Sequence, residues 1–134
     1  MPERVARGLL DTSVVIDLDL LAAEALPEEV AVSAITMAEL AAGPFAAARV
    51  DERARRQDRL QRAEAAFDPL PFGVEAARAY GRVFAAVREL GRVPRRRTAD
   101  LLIAATALAE ALPVVTRNGD DFVGLEHLID VIVV

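Results

Sequence analysis

Residues Thr98-Ala99-Asp100-Leu101-Leu102-Ile103-Ala104-Ala105-Thr106-Ala107-Leu108-Ala109-Glu110-Ala111-Leu112-Pro113-Val114-Val115-Thr116 decide the fold. From Leu101 to Leu112 the stretch is almost wholly apolar, so a helix here has no wet face and must be buried. Pro113-Val114-Val115-Thr116 follows as a short buried strand. A strand of that kind needs cover on both faces, which is the situation in a parallel sheet between helical layers.

The same alternation extends outward. Val5 to Leu10 reads as a first strand, ended by Asp11, and Ser13 to Ala23 has helical spacing. Val30 to Ile35, after the turn-like Pro27-Glu28-Glu29, reads as a second strand. Thr36 then opens a helix that runs to Gly43-Pro44. Residues 46–66 form a long charged helix, Pro69-Leu70-Pro71 a weak edge strand, and Val74 to Leu90 a helix closed by Gly91. Thr98 caps the buried helix, and Asp130 to Val134 is the last strand. The expectation is one α/β domain over residues 1–134, with a mainly parallel central sheet of four to five short strands flanked by helices on both faces.

Composition narrows the chemistry. The 134 residues contain no Cys, which excludes a disulfide framework, a thiol nucleophile and a cysteine zinc site. All 16 cationic side chains are Arg. Without Lys there is no P-loop lysine, Schiff base or Lys-assisted aspartyl phosphate. No apolar run approaches the roughly 20 residues that span a bilayer. The opening Met1-Pro2-Glu3-Arg4-Val5-Ala6-Arg7-Gly8 has no apolar stretch of the signal-peptide kind, so a cytoplasmic location is expected.

The net charge of −5 hides a segregation. Residues 17–48 carry six acids and no Arg, and residues 98–134 carry six acids against Arg117. Between them, residues 49–62 carry six Arg against three acids, and residues 78–97 seven Arg against Glu89. A fold that joins the two acidic ends places a negative site beside arginine-rich walls, which suits a metal ion next to a phosphate backbone. Ordinary solvated helix faces are the plainer reading of the same arginines.

Four acids stand at the ends of elements: Asp11, Glu39, Asp100 and Asp121. Taken singly, each has a structural explanation. Asp11 fits a helix cap, Thr36-x-x-Glu39 a capping box, Asp100 a first-turn acid, and Asp121 a turn after Asn118-Gly119. Taken jointly they mean more, because ligand groups collect beyond the carboxyl ends of parallel strands. Carboxylates about 5 Å apart repel by roughly 3 kcal/mol per pair at an effective dielectric near 20. Such a cluster needs a cation or must hold protons. With no His or Cys, it is a hard oxygen site suited to Mg²⁺ or Mn²⁺. His127, the sole histidine, reads as a surface residue, and the aromatic residues are too scattered for a base-stacking platform.

The stretches Leu9-Leu10-Asp11-Thr12-Ser13, Thr36-Met37-Ala38-Glu39-Leu40, Ala99-Asp100-Leu101-Leu102-Ile103-Ala104-Ala105 and Thr116-Arg117-Asn118-Gly119-Asp120-Asp121-Phe122 together resemble the PIN-domain ribonucleases, specifically the VapC-type toxins of bacterial toxin–antitoxin pairs. The resemblance covers essentially the whole chain, and its last two motifs are the most specific. It implies a metal-dependent endoribonuclease in which Asp11, Glu39, Asp100 and Asp121 are the acidic constellation. Asp11, Asp100 and Asp121 would then be the main ligands of Mg²⁺ or Mn²⁺. Asp121, before Phe122, matches the motif's acid, whereas Asp120 falls at a variable position. Thr12, Ser13, Thr116 and Asn118 match supporting polar positions. The resemblance further implies inhibition by a cognate VapB-like antitoxin and a homodimer. Arg95, Arg96 and Arg97 are candidates for binding the RNA backbone. Two rivals stand beside this reading. One is a receiver- or phosphatase-type protein phosphorylated on Asp11, against which the missing Lys weighs. The other is a catalytically silent PIN domain that only binds protein or RNA.

Overall fold

The computed structural model describes residues 4–134, apart from the side chain of Arg96. Met1, Pro2 and Glu3, part of the stretch read above against a signal peptide, lie outside it. Four parallel strands form one sheet: β1 (Arg7–Leu10), β2 (Glu29–Val32), β3 (Val114–Thr116) and β4 (Val131–Val133), in the order β2-β1-β3-β4. Five α-helices accompany them among the described residues: α1 (Thr12–Ile16), α2 (Ala34–Ala46), α3 (Val50–Ala66), α4 (Val74–Glu89) and α5 (Thr98–Glu110).

β1 shows why the sheet sits between two layers. Leu9 and Leu10 are both fully buried, yet successive side chains of a strand leave on opposite faces. Leu9 packs with Val114, with Val83 and Val87 of α4, and with Leu101, Ile103 and Ala104 of α5. Leu10 packs with Val115 and Val32, with Val14 of α1, Leu40 of α2 and Ala63 of α3. The apolar stretch from Leu101 is a buried helix as expected. It ends at Ala111, whose left-handed backbone (φ 55°) terminates α5 before Pro113.

Several boundaries differ from the sequence expectation. The helix expected at 13–23 is only five residues long and continues as two single 3₁₀ turns, Leu18–Leu20 and Ala23–Ala25. Asp17 and Asp19 interrupt its apolar spacing. The cap of α2 is Ser33, whose hydroxyl accepts from the Thr36 amide at 3.1 Å, so Thr36 lies inside the helix and Glu39 does not close a capping box. Pro44, expected as a stop, sits within the last turn of α2, where the helix carries on to Ala46. The charged helix begins at Val50 rather than at 46. Thr98 is the first residue of α5 rather than its cap; its hydroxyl donates to the Arg95 carbonyl at 3.1 Å. The stretch around Leu70 forms a single parallel bridge to Ser33 and no strand.

The chain leaves β1 toward β2 on one side and returns through β3 to β4 on the other. The order therefore reverses between β1 and β3, where the crevice beyond the strands opens. The Asp11 amide donates to the Val115 carbonyl at 2.8 Å, which locks the end of β1 against β3. Close approach at the other end of β1 depends on Gly8. A Cβ there would lie 2.8 Å from Pro27 Cγ and 2.9 Å from Val115 Cγ2. Gly8→Ala is expected to destabilise the domain by about 1–3 kcal/mol through overpacking, read as a lower denaturant midpoint with unchanged slope.

Candidate active site

Asp11 follows β1 directly and is 3% exposed, with no ion-pair partner among the described residues. Hydroxyls and an amide satisfy it instead. Its Oδ1 accepts from the Thr12 amide at 2.8 Å, and its Oδ2 from Ser13 Oγ at 2.9 Å and Thr116 Oγ1 at 2.8 Å. Ser13 is itself placed by the Arg117 amide, which donates to its hydroxyl at 3.1 Å. Thr116, fully buried at the end of β3, also accepts from the Asn118 amide at 3.0 Å. Three of the four predicted supporting residues thus hold or surround Asp11. Asn118 takes part through its backbone.

Asp100 enters from the first turn of α5 and Asp121 from the 3₁₀ turn Gly119–Phe122 after β3. Asp11, Asp100 and Asp121 each present a carboxylate oxygen, and these atoms lie within 4.8 Å of one another. Glu39, on the exposed side of α2, stands beside this group and is joined to it through Thr12, whose hydroxyl donates to Glu39 Oε1 at 2.6 Å. The Thr12 proton being used there, the 3.0 Å contact between Thr12 Oγ1 and Thr36 Oγ1 must take its proton from Thr36. Thr36, fully buried, is the residue that sequence reading missed; its apparent fit to a capping box hid this role.

The arginines predicted to grip phosphate separate on inspection. Arg95 is exposed. The Arg96 side chain lies outside the described residues. Arg97 turns inward, with Nη1 2.8 Å from Asp121 Oδ1 and 3.4 Å from the Asp120 carbonyl. Asp120 itself is exposed and offers this site its carbonyl.

Crowding of like charge leaves its mark on Asp100. Burial, then the neighbouring charges of Asp121, Asp11 and Glu39, push its carboxyl up to about 7 against the partial offset of Arg97. At roughly 4.8 Å each ionised pair costs about 3 kcal/mol at an effective dielectric near 20. Three oxygen donors that close, one of them with its proton affinity raised by its neighbours, fit a hard divalent ion better than any neutral ligand. A phosphoacceptor role for Asp11 fits poorly with a carboxylate this buried and already engaged by three donors.

A family model of the PIN domain matches residues 8–127, which takes in all four acids. The chain belongs to the PIN-domain family. Ribonuclease VapC5 of Mycobacterium tuberculosis is 42% identical over 124 residues, covering 90% of this chain and 89% of its own length. Among solved structures, VapBC-5 of the same organism, described as a member of the VapBC toxin–antitoxin family, superposes with a TM-score of 0.81 at 39% identity, covering 96% of this chain and 99% of that one. FitAcB from Neisseria gonorrhoeae matches with a TM-score of 0.68 at 29% identity, over 92% of this PIN domain and 95% of its own chain. Among the described residues, no helix of this PIN domain is long and apolar enough to cross a membrane.

The raised Asp100 has a consequence for stability without metal. Its folded value of about 7 lies above the roughly 3.9 of an unfolded Asp, so the folded chain binds the extra proton between them. Its stabilising contribution is complete below about pH 4, declines as pH rises toward 7, and is gone above that. Melting curves in a chelator across this range should show that decline, and Asp100→Asn should flatten it.

Proposed function

We propose that this PIN domain is a metal-dependent endoribonuclease that hydrolyses RNA phosphodiester bonds in the cytoplasm, as the toxin of a toxin–antitoxin pair. The observation that carries the reading is the convergence of Asp11, Asp100 and Asp121 within 4.8 Å at the strand-order reversal. Their similarity to a named ribonuclease across nine-tenths of the chain supports the reaction class. Asp11, Asp100 and Asp121 would hold Mg²⁺ or Mn²⁺, which when bound supplies a Lewis acid for the phosphoryl oxygens and an acidified water.

The chain's own residues do the rest. Asp11 is held in one orientation by Thr12, Ser13 and Thr116, so no side-chain freedom is lost on loading. Glu39 has Oε1 committed to Thr12, leaving its second oxygen to accept a proton from an attacking water or to orient it. A groove of about 420 Å³ leads from Thr12 and Glu39 past Arg56, which is engaged with Glu52, to Arg59 of α3, whose guanidinium could meet a phosphate backbone. Arg95, exposed to solvent, would be a further contact for the RNA backbone. Large apolar side chains left in water at Leu20, Phe45 and Val50 support association with an antitoxin or a second copy.

Two substitutions separate ligand from support. Asp11→Asn is expected to lower RNA cleavage by more than about 100-fold, because a ligand is lost. Thr116→Val, which removes only a hydrogen bond to that ligand, should cost about 10–100-fold. In parallel melts, Mn²⁺ should raise the melting temperature of the wild type by mass action and not that of Asp11→Asn. Wild-type protein that binds Mn²⁺ and RNA yet leaves RNA uncut would establish the silent binding module instead.

A further inference from the structure

We infer that Arg97 is a built-in counter-cation of the acidic site, occupying Asp121 when no metal is bound and competing with the metal for it. This rests on the metal-binding reading of the three acids given above. The bond is direct: Arg97 Nη1 lies 2.8 Å from Asp121 Oδ1, and both side chains are about two-thirds buried. It is the one ion pair made by Asp11, Asp100 or Asp121 among the described residues, so a single guanidinium faces three crowded carboxylates. A cation there offsets repulsion that a divalent ion would offset more strongly.

Arg97 also donates to the Asp120 carbonyl at 3.4 Å, but it is not the sole anchor of the turn that places Asp121. The turn that carries Asp121 is anchored by Phe122, 1% exposed and packed with Leu101, Ile103 and Leu125 in the main core. The Asp121 amide donates to the Asn118 carbonyl at 3.2 Å, and Arg92 provides a second guanidinium to the Asp120 carbonyl at 3.5 Å. With the backbone fixed by those contacts, the Arg97–Asp121 bond is electrostatic compensation more than scaffolding. Arg97 also sits at the end of the 3₁₀ turn Pro94–Arg97, three residues before Asp100, so displacing it frees a guanidinium at the rim of the loaded site.

Calorimetric titration with Mn²⁺ alone, at constant pH and ionic strength and without RNA, tests this independently of activity. Arg97→Gln is expected to bind Mn²⁺ about tenfold or more tightly than wild type, while melting several degrees lower in chelator. Arg97→Lys, which keeps the charge and loses the planar fork, should fall between them. Arg78→Gln, on α4 and paired with Glu75, should match wild-type affinity. Unchanged or weaker Mn²⁺ binding by Arg97→Gln, with wild type binding normally, would overturn the role of Arg97 and leave it as a clamp on the turn. Absence of saturable binding by wild type would overturn the metal reading itself, and the inference with it.

Discussion

Three carboxylates that repel one another are brought together from the end of β1, the first turn of α5 and the turn after β3. β1 and β3 are the central strands, and the crevice between their carboxyl ends is the place where the chain diverges to opposite sides. Asp11 and Thr116 terminate those two strands, and the Asp11 amide is bonded to the strand beside it. The position of Asp11 is therefore a property of sheet register, secured by Leu9 and Leu10 in two separate cores. The crowding is offset locally by the Arg97 guanidinium, and it shows in the raised proton affinity of Asp100.

The alternation of apolar strands and helices was legible in the sequence because its signal is redundant: each buried strand has apolar side chains toward both layers. Asp11, Asp100 and Asp121 were legible for a related reason, since they lie at or just beyond the ends of elements of that alternation, whereas Glu39 lies a full turn inside α2. What could not be read was detail that depends on which residue of a polar pair wins a backbone amide. Ser33 and Thr36 are both good caps, and only the bridge between Ser33 and Leu70 fixes where the strand stops and the helix begins. With Ser33 in that role, Thr36 is free to turn its hydroxyl toward Thr12.

The arginines were the least legible. Sequence gives a run of three at 95–97 and suggests one common task, but successive residues of a 3₁₀ turn point about 120° apart. Arg97 meets Asp121 while Arg95 stays in solvent, so adjacent side chains of identical chemistry do different things. Charge segregation along the chain foresaw that the acidic ends would lie near basic segments. It did not foresee that one of those bases would enter the acidic site. The same limit applies to α3, whose arginines are largely engaged with acids of their own helix: Arg55 and Arg56 bind Glu52, and Arg62 binds Asp58.

The strand order has a bearing on the making of the protein. β3 is the inner neighbour of β1, yet more than a hundred residues separate Asp11 from Thr116 along the chain. Synthesis delivers β1, β2 and the helices between them while β1 still lacks its second partner strand. The three acids meet only after α5, β3 and the turn at Gly119–Phe122 have been synthesised and docked. A chain that stops before the Gly119–Phe122 turn thus lacks Asp121 and cannot assemble the three-carboxylate group.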